Sequence, residues 1–177
     1  MSNSSPGGAD IARQRIAALY SRPGFLLRRA HQIALAVFEN ACADIDLTSQ
    51  QFAVLTALFA RPGSDQTRLA HALGIDKVTV SHLLRGLENR GLVLRTLTEQ
   101  NRRSFSVVLT EAGAKLLDEA EPRVERAYHQ LLAPLTSSQQ QQLLELLGFL
   151  NARLDSLART EFTPIPCQAP PAPGRDR

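Results

Sequence analysis

The stretch that most limits what this chain can become is Ser64–Ser106, where two short helical patterns meet at a single glycine and are followed by two runs of alternating residues around a polar loop. Ser64 or Asp65 is placed to cap a first helix with Leu69, Ala70 and Leu73 facing inward. Gly74 supplies the permissive backbone that a tight helix-to-helix turn needs, and Asp76 can cap the helix after it. Beyond Gly91, Leu92–Leu97 and Ser104–Leu109 read as two strands of a hairpin around Thr98–Arg103, with Phe105 and Val107 alternating with serines.

The second helix of this stretch divides cleanly when successive residues are set 100° apart. Val80, Leu83, Leu84 and Leu87 fall on one stripe, and Val78, Ser81, His82, Arg85 and Asn89 on the other. The first stripe is a packing face. The second carries hydroxyl, imidazole, guanidinium and amide groups with one small apolar side chain, the kinds of group that read base edges and thymine methyls in a major groove. Lys77 and Thr79, in the first turn, are placed for phosphates, which a helix N-terminus also favours. At the hairpin tip Arg102 and Arg103 suit the negative potential of a narrow minor groove.

Charge follows the same division. The chain carries a net +3, and Ser64–Ser106 holds seven bases (Arg68, Lys77, Arg85, Arg90, Arg95, Arg102, Arg103) against four acids (Asp65, Asp76, Glu88, Glu99). Thr110–Glu161 instead holds five bases and eight acids. The basic excess therefore lies where a nucleic acid would bind.

The flanking segments are helical. Residues 1–9 are small and polar and are expected to be without structure. Asp10–Tyr20 is a short helical stretch interrupted at Arg22-Pro23-Gly24, after which a longer helix offers Leu26, Leu27, Ile33, Val37 and Phe38 for burial. Thr48 and Gln51 have capping-box spacing for a helix ended by Arg61-Pro62-Gly63. Thr110 caps a long helix that contains Pro122, which should bend it, and that ends at Pro134. Ser137 or Ser138 opens the last helix, whose leucines exceed one packing face and point to a second copy of the chain as partner. From Thr163 the proline-rich tail is expected to be a flexible extension.

Three segments together resemble the MarR family of winged helix-turn-helix regulators: LTSQQFAVLTAL (Leu47 to Leu58), TRLAHALGIDKVTVSHLLRGLENRGLV (Thr67 to Val93) and VVLTEAG (Val107 to Gly113). The resemblance implies a mainly α fold with a small β-hairpin wing. Residues 47–109 would form the DNA-binding domain, 10–46 and 110–161 the dimerisation helices, and 162–177 a tail. It also implies a homodimer on a pseudo-palindromic double-stranded operator, whose reading helices enter successive major grooves about 34 Å apart. Wings of this family usually carry an aspartate before the arginine pair, where this chain has Asn101.

The same resemblance implies a small aromatic acid effector, bound between the dimerisation helices and the winged domain. Residues of the matching type are Arg28, Arg29 and His31, with Phe25 before them and Gln51 and Phe52 on the next helix. A guanidinium suits a carboxylate and an aromatic wall suits a flat ring. The PGFLLRRAHQI segment further resembles family members that repress degradation of nicotinate and related acids.

Other functions find less in the sequence. The histidines His31, His71, His82 and His129 lack metal-site spacing, there is no phosphate-cradling glycine loop and no nucleophile elbow, so neither catalysis, a cofactor nor a metal is expected. Cys42 offers an oxidant-sensing alternative, but it lies among Ala41, Ala43 and Ile45 without an adjacent base. An architectural DNA-binding dimer without effector control is the other alternative. No apolar run reaches the length of a membrane span, the N-terminus lacks a signal-peptide layout, and two cysteines make a disulfide framework implausible, so a cytoplasmic protein without membrane partners is expected.

Overall fold

The computed structural model describes residues 6–98 and 101–166. Two helices, α1 (Pro6–Tyr20) and α2 (Pro23–Ala41), lead through a short 3-10 turn at Ala43–Ile45 into α3 (Ser49–Ala60), α4 (Gln66–Leu73) and α5 (Lys77–Asn89). A hairpin of β1 (Val93–Thr98) and β2 (Asn101–Leu109) follows, then α6 (Glu111–Leu132) and α7 (Ser137–Leu154). The chain is thus mainly helical with one antiparallel hairpin, as its patterning requires.

Each boundary has a local cause. Thr48 and Gln51 form the capping box of α3, with the Thr48 hydroxyl accepting from the Gln51 N–H and the Gln51 side chain accepting from the Thr48 N–H. The carboxylates of Asp65 and Asp76 cap α4 and α5. Between these helices Gly74 sits at φ 62°, a left-handed conformation that a side chain would strain. Thr110 caps α6 and also donates its hydroxyl to the Gly91 carbonyl, which joins the helix start to the base of the wing. Thr136, one residue before the serines, caps α7.

The core lies under the winged domain. Val54, Leu55, Leu58, Leu69, Val80, Leu84, Leu87 and Val107 are fully enclosed and bring α3, α4, α5 and β2 together. Each such side chain contributes about 1.5–3 kcal/mol on burial. Ser64 adds a bridge to Val107, so the loop after α3 acts as a third, very short strand beside the hairpin. In the hairpin Val93 faces Leu109 and Leu97 faces Phe105, with an irregularity after Leu97 towards the tip.

The flanking helices are arranged differently. α2 lies along α6, where Phe38 is buried. Pro122 is inside α6, so the Asp118 carbonyl lacks its helical donor there. α7 buries none of its own residues and exposes Leu143, Leu144, Leu146, Phe149, Leu150 and Leu154. Ile11, Ile16, Leu19 and Tyr20 of α1 and Leu26, Leu27 and Ile33 of α2 are exposed as well. The leucines of α7 therefore do not close a core within one chain.

Two expectations about the ends need correction. α1 begins at Pro6, so residues 6–9 of the segment expected to lack structure are helical; proline has no N–H to leave unsatisfied at a helix start. Residues 1–5 lie outside the described residues. The tail expected to be flexible from Thr163 is instead docked as far as Pro166: the Thr163 N–H donates to the His71 carbonyl at 2.9 Å, and Ile165 packs against the core. The His71 carbonyl, near the end of α4, accepts locally only a long bond from the Gly74 N–H at 3.3 Å, and the extended segment supplies a second, shorter donor. Residues 167–177, with Cys167, lie outside the described residues. Among the described residues no helix is long and apolar enough to cross a membrane.

Candidate nucleic-acid interface and effector cleft

The reading face forms because α5 is held on three sides. Val80, Leu84 and Leu87 press into the core, and Leu83 packs at its edge. The N-terminus is tied to α4 by Gln66, whose amide Nε2 donates to the Lys77 carbonyl at 2.6 Å. At the other end Arg90 reaches across to donate to the carbonyls of Ile45 and Asp46. What is left outward is Lys77, Val78, His82, Arg85 and Asn89, with Ser81 half-buried beside them. Val78 is 66% exposed, which is unusual for an apolar side chain with a packed helix around it and fits a thymine methyl contact.

Thr79 stands apart from the other sequence-derived contacts. Its N–H and its hydroxyl both go to the Asp76 carboxylate, at 2.9 and 2.6 Å. These bonds, the hydroxyl first, hold the Asp76 carboxyl below its ordinary range. Thr79 thus fixes the helix start, and because a phosphate only accepts, its hydroxyl can meet one only by leaving its cap.

Not all of the basic excess is available for nucleic acid. Arg90 is engaged as described, and Arg95 of β1 pairs with Glu88 of α5. The guanidinium bond holds the Glu88 carboxyl low, and the Arg95 side chain also lies 5.7 Å from the centre of the Phe105 ring. Arg68 pairs loosely with the cap residue Asp65 at 3.7 Å. Gln66, Arg90 and Arg95 position the site, and sequence reasoning missed their roles because each contact joins elements whose approach no local pattern reveals. The side chains of Arg102, Arg103 and Asn101 lie outside the described residues.

The residues singled out for an effector fall into two groups. Phe25 packs against Tyr20 with ring centres 5.2 Å apart, and the Arg28 guanidinium lies 5.0 Å above the Phe25 ring. Arg28 also donates weakly to Gln32, and Arg29 and His31 are exposed. Phe52 instead packs against Phe38, 5.8 Å away between centres, while the Gln51 side chain is engaged in its capping box. Ten residues of helix separate Arg28 from Phe38, about 15 Å along α2 at 1.5 Å per residue, so the two groups are anchored nearly three turns apart.

A larger cleft lies nearby. It has a volume of about 500 Å³ between α2, α7, the α4–α5 turn and the C-terminal segment, and its wall includes Leu27, Leu150 and Leu154 with Phe162, the polar side chains of Asn151 and Thr160, and the carboxylate of Asp155. Its size and mostly apolar lining suit a small organic ligand.

Cys42 is fully buried, and burial pushes its thiol above the ordinary cysteine value despite the nearby Arg123. Among the described residues no three His, Cys, Asp or Glu side chains are grouped to hold a metal ion. His71 faces Glu161 of the C-terminal segment at 3.7 Å.

Comparison with known proteins agrees with this geometry. The MarR family profile matches residues 47–105. The chain is 35% identical over 124 residues to the HTH-type transcriptional repressor NicR of Pseudomonas putida, covering 70% of this chain and 78% of that one. Among solved structures, the transcriptional repressor CouR bound to a 23-mer DNA duplex superposes with a TM-score of 0.70 at 34% identity, covering 75% and 94% of the two chains. Bordetella bronchiseptica BpsR, described for regulation of its DNA binding by 6-hydroxynicotinic acid, superposes with a TM-score of 0.70 at 29% identity, covering 75% and 96%.

Proposed function

The chain belongs to the MarR family of transcriptional regulators, and we propose that it is a repressor that binds a pseudo-palindromic operator as a homodimer and is released by a small aromatic carboxylate of the nicotinate type. The observation that carries the DNA reading is the two-sidedness of α5, with Val80, Leu84 and Leu87 enclosed while Val78, His82 and Arg85 stand in solvent. His82 and Arg85 read bases, Lys77 and the wing arginines Arg102 and Arg103 engage phosphates or the minor groove, and Val78 and Ser81 complete the contact.

The homodimer is supported by the apolar side chains that α1, α2 and α7 expose away from the cleft wall, among them Ile11, Ile16, Leu26, Ile33, Leu143 and Leu146. So many exposed apolar side chains on three helices call for a partner, and a second copy with the same faces satisfies them by two-fold symmetry. The effector reading is supported by the regulation of BpsR by 6-hydroxynicotinic acid and by the 500 Å³ cleft. In a dimer the Phe25, Arg28, Arg29 and His31 group of one copy is free to approach the cleft or the Gln51 and Phe52 group of the other, which would supply the cation that the cleft lacks in one chain. The buried, protonated Cys42 does not support oxidant sensing.

The test is a titration of the purified protein on the DNA upstream of its own gene, at several salt concentrations, with and without a panel of aromatic acids that includes nicotinate and its hydroxylated derivatives. Sequence-specific binding with a steep salt dependence, released by one acid, is the expected result. Binding of equal strength to any sequence would instead leave an architectural protein, and specific binding indifferent to every acid would remove the effector.

A further inference from the structure

The C-terminal segment Ala158–Pro166 touches two parts of the fold at once. The Thr160 hydroxyl donates to the Gly74 carbonyl at 2.6 Å, and the Phe162 ring lies against Gly74 at the α4–α5 turn. The Thr163 N–H donates to the His71 carbonyl, Glu161 faces the His71 imidazole, and Ile165 is half-buried against the core. Thr160 and Phe162 are also wall residues of the 500 Å³ cleft, opposite Leu150 and Leu154 of α7. The same two side chains therefore grip the turn before the reading helix and face the space where a ligand would sit.

We propose that Ala158–Pro166 is a strap that fastens the reading head to the end of α7 and carries the state of the cleft to it, with Phe162 and Thr160 as the residues that a ligand meets. This rests on the reading of the cleft as the effector site. The segment leaves α7 through the short turn at Asp155–Leu157, so its anchored end moves with the dimerisation helices. Its docked end holds the turn whose geometry sets the angle of α5. A ligand that reaches this wall of the cleft presses on Phe162 or competes for the Thr160 hydroxyl.

The docking is also slight enough to be reversed. Phe162 is 48% exposed where it meets Gly74, and two hydrogen bonds, the exposed Glu161–His71 pair and one half-buried isoleucine are what offset the entropy of ordering the whole segment. A two-state element of this kind, docked or released, is what a ligand with a preference for one state can shift. The lining suits a small, mainly apolar molecule with hydrogen-bonding groups for Thr160 and Asn151, its carboxylate directed away from Asp155.

The experiment compares the full chain with the double variant Thr160→Val, Phe162→Ala and with a chain ending at Leu157. Each is titrated onto its footprinted upstream DNA and onto the same DNA with one base pair inserted between half-sites. The full chain should discriminate strongly against the insertion, and both altered chains should lose at least tenfold of that discrimination while unfolding at a similar temperature. Equal discrimination in all three chains overturns the strap. The acid panel supplies the second arm: where an acid releases the full chain, the double variant should need at least tenfold more of it or show no release, and release at the same concentration overturns the coupling. If no acid acts on the full chain while spacing discrimination is still lost, the effector reading fails and the fastening role of the strap stands.

Discussion

Arg95 donates to the Glu88 carboxylate through Nε at 2.8 Å and again through Nη2, so the first strand of the wing is fastened to the last turn of the reading helix. Both side chains are less than one-third exposed, which makes this pair more than a surface contact. The Glu88–Arg95 pair thus holds the wing at its base.

That pair gives a pH prediction. The Glu88 carboxyl is held below its ordinary value, chiefly by the Arg95 hydrogen bond, so its contribution is present above the unfolded carboxylate value of about 4.3 and is lost as pH falls through the lower folded value. Asp76, lowered by the Thr79 hydroxyl and N–H, acts in the same direction. Glu88→Gln should therefore cost about 1 kcal/mol at neutral pH, in line with a partly buried charged hydrogen bond. Thermal unfolding at pH 7 and at pH 3 should show the gap between wild type and variant closing in acid. A gap of constant size would mean that the pair does not stabilise the fold.

Gly113 provides a stability prediction of a different kind. A Cβ at this position would come within 2.0 Å of the Leu92 carbonyl oxygen, a backbone atom that cannot rotate away. Gly113→Ala should force α6 and the base of the wing apart and destabilise the protein by about 3 kcal/mol or more, at the upper end of overpacking effects. Urea unfolding measures this directly, and a loss below about 1 kcal/mol would show that the helix start can shift without strain.

These two positions mark where the sequence is readable and where it is not. Caps, turns and the two faces of α5 follow from local chemistry: Thr48 with Gln51, Asp65, Asp76, Gly74 and the Val80, Leu84, Leu87 stripe all occur as their spacing requires. Gly113 belongs to a stretch that resembles the family, yet only the approach of the Leu92 carbonyl explains why a glycine stands there. The docked tail is invisible for a related reason. A proline-bearing segment has no periodicity of its own, and its partners, the Gly74 and His71 carbonyls, are backbone atoms more than eighty residues earlier in the chain.

Arg85 tests the reading face itself. It stands exposed in the middle of α5, two turns from the Asp76 cap, with His82 one turn before it on the same face. A bidentate guanidinium contact to a guanine edge is worth about 1–3 kcal/mol of discrimination, so Arg85→Ala should relax selectivity at one base position of each half-site. Binding to a library of single-base operator variants is the measurement. An equal loss on every variant would reassign Arg85 to a phosphate.

Cys42 is the position where chemistry and burial pull against each other. Arg123 is near enough to favour a thiolate, but its guanidinium is already engaged by Asp44 at 2.8 Å and Glu119 at 2.8 Å, and desolvation is the larger effect on the thiol. The nucleophile needed for reaction with peroxide is the thiolate, so a thiol with a raised pKa and no solvent access reacts slowly. Peroxide at concentrations that oxidise an exposed cysteine should leave DNA binding of the wild type unchanged, in a Cys167→Ser background that removes the tail thiol. Cys42→Ser should instead register as lost stability of about 1–3 kcal/mol, because the hydroxyl is enclosed among apolar neighbours. Release of the wild type by peroxide, with Cys42→Ser resistant, would show that the helices around Cys42 open often enough to expose it, and oxidant sensing through Cys42 would then operate in this chain.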